Sequence, residues 1–307
     1  MLTQGVLFFP VTPFDADGGI DESLFERHVV DGLAHGPGAV FAACGAGELH
    51  ALSKEEHAKI ANRAVEAAAG KRPVYLGAGG PLPTAIAMCH AAAKSGADGV
   101  LLLPPYLVSA PQKGLIDYVA QVAAASPVPV IVYARANARF TVEAAVQIAN
   151  IDNVLGFKDG IGDIELIQRI MISVRRTTSR PFLFLNGLPT AELSAVAYRG
   201  MNVPIYSSGI FAFAPEISTA FWNALSNGQA GLVEALLLDF YAPFAALRDQ
   251  APGFAVSLIK AGVRARGLPV GPVRAPLIDP TSEQIQHLEM LLERGLHIAA
   301  RAKDLTR

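Results

Sequence analysis

The chain has 307 residues and a formal net charge of −2; 51% of its residues are apolar and only 17% are charged. That length admits one large α/β domain or two modest ones, and with neither a basic block nor an acidic tail nothing points to a nucleic-acid or membrane-surface partner. So few charges on so apolar a chain predict that part of the surface is buried between subunits.

The first residues, Met1 to Gly5, lack the positive segment and small-residue cleavage site of a secretory signal. No apolar run is read as approaching the roughly 20 residues that span a bilayer. Cys44 and Cys89 form no C-x-x-C pair and are too few for a disulfide framework, which predicts a protein of the reducing cytoplasm. The seven histidines show no metal-ligand spacing. His50 and His57 are read as surface or helix residues.

Short apolar runs occupy 6–10, 40–43, 74–77, 100–103, 128–133, 154–158, 182–186 and 203–207, the composition of strands buried on both faces of a parallel sheet. Helical signals lie between them. Ser53 with Glu56 three residues later is a capping box opening a helix to residue 69. Thr84 and Thr141 offer hydroxyls in capping positions, and Ile164, Ile167, Met171 and Val174 form one stripe. Gly70, Gly96 and Gly200 stand where helix C-termini want a left-handed residue. Eight strand–helix units predict a (β/α)₈ TIM barrel over 1–227. Residues 228–307 read as a C-terminal three-helix extension (229–249, 254–266, 282–302) packed on the barrel within one functional domain. A doubly wound open sheet competes, but no Gly-x-Gly-x-x-Gly follows the first strand.

A TIM barrel gathers its active site at the C-terminal strand ends. That rule nominates Thr12, residues 44–48, Pro104 to Tyr106, Tyr133, Lys158 and Asp159, Asn186 and Gly187, and Ser207 and Ser208. Lys158 ends the apolar run Val154 to Phe157. Burial lowers a lysine pKa and makes an amine nucleophile; the alternative is a lysine that snorkels or pairs with Asp159. Tyr133 ends the preceding strand and can shuttle protons at the barrel mouth or plug its core. Gly45, Ala46 and Gly47 can turn backbone N–H groups toward an anion or form an ordinary tight turn. Glu48 can act as an acid or base or tie down backbone donors. Ser207, Ser208 and Gly209 offer hydroxyls where barrels often bind anions. Cys44, without a partner histidine, reads as a small packing residue.

At these residues the chain resembles the N-acetylneuraminate lyase / dihydrodipicolinate synthase superfamily. The likeness runs over nearly the whole length: Pro10 to Phe14, Gly47-Glu48, Pro104 to Tyr106, Tyr133, Gly156 to Asp159 and the helical tail. Segments 97–107, 156–165, 187–192, 206–208, 248–257 and 271–276 resemble the 5-dehydro-4-deoxyglucarate dehydratases within it. The resemblance implies an imine on Lys158 and proton relay by Tyr133. It also implies a keto sugar acid as small-molecule substrate, loss of water and CO₂ to give 2,5-dioxopentanoate, no cofactor beyond the imine, and a homotetramer. Gly45, Ala46, Gly187, Ser207, Ser208 and Arg135 are then the substrate-binding candidates. Arg135 either holds the far carboxylate or makes a surface ion pair. The chain departs from the superfamily pattern at Ala46, where a threonine is usual, at Ala134 in place of Asn, and at Asn186 in place of Gly. Leu107 also replaces the tyrosine often donated across a subunit interface. One alternative is an aldolase or dehydratase of another 2-keto-3-deoxy acid, with Ala46 and Asn186 marking altered selectivity; another is a non-catalytic sugar-acid binder, against which the retention of Lys158 and Tyr133 argues.

Overall fold

A computed structural model describes residues 5–105 and 109–304, with side chains to 301; Tyr106 and Leu107 lie outside the described residues. The strands are β1 (Val6–Phe8), β2 (Ala39–Ala42), β3 (Val74–Ala78), β4 (Gly99–Leu102), β5 (Val130–Ala134), β6 (Val154–Asp159), β7 (Leu183–Asn186) and β8 (Tyr206–Ser208). All pair in parallel, and β8 closes on β1, so the expected eight-stranded barrel is the fold. A helix follows each strand: α1 (Glu22–Leu33), α2 (Lys54–Ala68), α3 (Leu82–Ser95), α4 (Gln112–Ala125), α5 (Val142–Ala149), α6 (Ile164–Thr177), α7 (Glu192–Gly200) and α8 (Pro215–Ser226).

Local chemistry explains most of the helix ends. Ser53 and Glu56 make the reciprocal capping box, and Thr141 accepts from Ala144 N. Thr84 does not cap: α3 begins earlier, at Leu82, where Pro83 fits a first turn whose N–H groups need no helical partner. Gly96 takes the left-handed C-cap with φ 83°, and Gly70 is left-handed just beyond α2. Gly200 is not left-handed; Asn202, at φ 63°, makes that turn instead.

Alternation along the strands separates two cores. Leu7, Phe9, Phe41, Tyr75, Leu101, Ile131 and Leu185 fill the barrel, with Phe41 stacked between Phe9 and Tyr75 at 4.9 and 4.8 Å. Residues such as Phe8, Val40, Val132 and Phe157 face the helices.

Three C-terminal helices follow, Ala230–Arg248, Phe254–Ala265 and Ser282–Asp304. The first contains a π-turn at Leu237–Tyr241. It is long and apolar enough, with mean hydropathy 1.5, to meet the length and composition of a membrane span, which the sequence reading did not find. Here Val233, Leu236, Phe240, Phe244 and Leu247 on it are buried in the core shared with α8 and Ser282–Asp304.

Candidate active site

Lys158 owes its direction to a one-residue irregularity. Val130 pairs with Val154 but Ile131 pairs with Gly156, so Leu155 is an extra residue in β6. Before the slip Val154 faces the helices; after it Lys158 faces the barrel interior in register with Tyr133. Lys158 is 4% exposed, with Nζ 3.7 Å from the Tyr133 ring centroid and 5.1 Å from that of Phe9. Burial pulls its pKa below the ordinary lysine value; Tyr133 opposes the shift and the Arg135 charge reinforces it. Asp159 points the opposite way, accepting from the Tyr198 hydroxyl and from Ile161 N at 2.9 Å. The alternative of a Lys158–Asp159 pair therefore falls to strand alternation.

The Tyr133 hydroxyl donates to Gly187 O at 2.7 Å and accepts from Arg135 Nη1 at 3.1 Å. Burial works to raise the phenol pKa, but the Lys158 and Arg135 charges outweigh it and hold it below the usual value. A phenol made more acidic by neighbouring charge and a lysine made less basic by burial can exchange protons. Cys44 shares this interior, but burial pushes its thiol up to about 12, so it stays a neutral packing group.

A cavity of about 350 Å³ opens over this pair, and Gly45, Ala46, Arg135, Gly187 and Ser207 line it with Lys158 and Tyr133. The Gly45–Ala46 loop is held from behind. Thr12 Oγ1 donates to Gly47 O at 2.7 Å, and Glu48 is completely buried in a left-handed conformation. The Glu48 carboxylate accepts from Lys260 Nζ at 2.7 Å and from Arg274 N at 2.8 Å. Of the two readings of Glu48, the structure shows the anchor.

Besides Thr12, Cys44, Gly47, Glu48, Pro105 and Asp159, two more nominated residues, Ser208 and Asn186, do not line the cavity. Ser208 follows inward Ser207, so it faces the helices, its Oγ 3.0 Å from Ser218 Oγ and accepting from Phe211 N. Asn186 likewise turns outward, donating to Ala191 O and Ser194 Oγ and accepting from Leu188 N. His57 is no surface residue: it is fully buried on α2 with Nε2 2.7 Å from Gly77 O. His50, Thr190 and Arg248 line the cavity and were not nominated. A period-of-two count along β7 and β8 would have excluded Asn186 and Ser208. No local signal marks Arg248, which arrives from the helical extension.

With this geometry in view, comparison with known proteins is direct. The dihydrodipicolinate synthetase family model matches residues 2–294. The Streptomyces coelicolor protein named probable 5-dehydro-4-deoxyglucarate dehydratase 1 is 50% identical over 293 residues, 95% of this chain and 93% of that protein. The Azotobacter vinelandii protein named probable 5-dehydro-4-deoxyglucarate dehydratase is 41% identical over 295 residues, 96% of each. Among solved structures, dihydrodipicolinate synthase from Oceanobacillus iheyensis superposes with a TM-score of 0.86 at 26% identity, covering 94% of this chain and 95% of that one. A match over nearly the whole sequence, on a barrel of the same form, means that the chain belongs to the dihydrodipicolinate synthetase family.

Proposed function

We propose that the protein is a Schiff-base lyase that dehydrates and decarboxylates 5-dehydro-4-deoxyglucarate to 2,5-dioxopentanoate. The observation that carries this reading is the buried Lys158 amine in register with Tyr133 on the cavity floor. The relatives at 41–50% identity support the choice of substrate.

In this reading the neutral Lys158 amine adds to the keto carbon, and Tyr133 moves the protons that let water leave as the iminium forms. The iminium acidifies the neighbouring CH₂, whose proton is removed to give an enamine. The enamine expels the β-hydroxyl, protonated as water, and leaves a conjugated iminium. The bond to the far carboxylate then breaks; CO₂ departs and the electron pair flows into that conjugated system. Proton return, tautomerisation and hydrolysis release the dioxo acid and restore Lys158. The overall change is one water and one CO₂ lost.

In this reading the Gly45–Ala46 backbone and the Ser207 hydroxyl, which line the same cavity, receive the keto-acid end. Ala46 offers only backbone there. The imine is the sole covalent device required, and the enzyme works in the cytoplasm as a homotetramer; exposed apolar residues such as Val196 and Leu238 suit subunit contact.

The test is product analysis with 5-dehydro-4-deoxyglucarate. CO₂ and 2,5-dioxopentanoate are expected in equal amounts. Release of pyruvate with tartronate semialdehyde would instead identify an aldolase cleaving this 2-keto-3-deoxy acid.

A further inference from the structure

Two arginines line the cavity, and their hydrogen bonds divide the work between them. Arg135 gives Nη1 to the Tyr133 phenol and is otherwise exposed. Arg248 ends the first C-terminal helix with its side chain only 15% exposed. Its Nε and Nη2 donate to the Asp249 carboxylate at 2.7 and 2.9 Å, and its Nη1 donates to Thr190 Oγ1 at 2.7 Å. A guanidinium carries five N–H groups, so these bonds leave two without a partner among the described residues.

The Asp249 carboxylate that orients the guanidinium is 65% exposed, and Arg248 lines the cavity together with Phe244, Val256 and Leu277. Thr190, which receives the guanidinium, is β-branched yet held at φ 51°. Such a conformation is costly and persists where the surroundings over-determine it, often at ligand-binding walls. Arg135 hangs from one bond to the proton-transfer phenol and is otherwise exposed, whereas Arg248 is held in place by three bonds and is only 15% exposed.

Resting on the dehydratase reading, we propose that Arg248, positioned by Thr190, binds the far carboxylate of the substrate and makes the cavity select dicarboxylic 2-keto acids. Arg135 then acts on Tyr133 rather than on the far end of the substrate. The keto carbon is committed to Lys158 and the near carboxylate to the Gly45–Ala46 loop. The far carboxylate accordingly needs a cation contributed from outside the barrel strands.

The test uses borohydride trapping on Lys158, reading the half-saturating concentration of two six-carbon acids, 2-oxoadipate and 2-oxohexanoate. They differ in the distal carboxylate. A charge-assisted contact of this kind corresponds to roughly 10- to 150-fold in affinity, so the wild type is expected to favour 2-oxoadipate by about that factor. Arg248→Gln is expected to reduce the preference to within about threefold, since a neutral amide has no charge to offer. Pyruvate, which has no distal carboxylate, is trapped in parallel as the internal reference for each variant, and thermal unfolding reports whether the fold is intact. Arg248→Lys keeps the charge without the fork and gives an intermediate preference. Thr190→Val lowers it and Thr190→Ser retains it. An unchanged preference in Arg248→Gln, its loss in Arg135→Gln, or no preference in the wild type would each overturn the assignment. Trapping does not require turnover. Absence of CO₂ release alongside an intact preference would therefore sink the dehydratase reading alone.

Discussion

Gly187 passes so close to Lys158 that a Cβ built on it would lie 2.5 Å from Lys158 Cγ and 2.9 Å from Lys158 Cε. Its carbonyl meanwhile receives the Tyr133 hydroxyl. One backbone unit thus sets the positions of both the amine and the phenol.

Gly187→Ala is therefore expected to push the lysine stem out of line. Overpacking of this kind costs about 1–3 kcal/mol of stability, and displacing a reacting group by about 1 Å costs on the order of 100-fold in rate. Thermal unfolding and the rate of pyruvate trapping check both effects. A variant that traps at the wild-type rate would show that the close approach does not position Lys158.

The Glu48–Lys260 pair joins the cavity loop to the second C-terminal helix, and both side chains are fully buried. The Phe14 ring centroid is 3.9 Å from Lys260 Nζ and 4.0 Å from the Arg274 guanidinium carbon. Removing one member strands the other charge, at a cost of about 3–5 kcal/mol. Lys260→Met and Glu48→Gln should each unfold at clearly lower denaturant. The double variant should recover part of the loss, and strictly additive losses would contradict the coupling.

The site also makes a signed prediction about pH. Trapping requires the neutral amine, so its rate should rise with pH and level off below the ordinary lysine pKa, because burial lowers the Lys158 value. Arg135 contributes to that lowering, so Arg135→Gln should move the inflection upward. Tyr133 opposes it, so Tyr133→Phe should move the inflection downward, with slower imine formation for want of the proton relay. Shifts in the reverse directions would refute the electrostatic account.

Two buried groups outside the cavity lining should nearly cancel in acid. Burial pushes His28 down to about 4, so its contribution is fully present above pH 6.5 and is lost as pH falls toward 4. Burial raises the Glu192 carboxyl to about 7, so its contribution is full below pH 4.5 and is lost as pH rises through 7. Each shift is worth about 3 kcal/mol, with opposite slopes over the same window. Glu192→Gln should therefore become steeply less stable on acidification, whereas His28→Gln should gain stability. Denaturant midpoints between pH 4.5 and 7 measure this, and parallel slopes in the two variants would contradict it.

The barrel was legible because strands buried on both faces leave unmistakable apolar runs, and the Tyr133–Lys158 neighbour relation follows from strand order alone. Direction was less legible. Ser208 and Asn186 end their strands, yet alternation turns them to the helices, whereas Ser207, one residue earlier in β8, lines the cavity. Lys158 escapes that fate through the extra Leu155, which no composition rule reveals. Arg248 and Thr190 lie 58 positions apart and meet at 2.7 Å through tertiary packing. Glu48 and Lys260, 212 apart, are in the same position.

The central claim is that Lys158 is the imine-forming amine. Borohydride reduction in the presence of pyruvate, followed by peptide mass spectrometry, tests it most directly. The expected result is a single reduced adduct on the peptide bearing Lys158, absent from Lys158→Arg. An unmodified Lys158, or an equal adduct in that variant, would contradict the account.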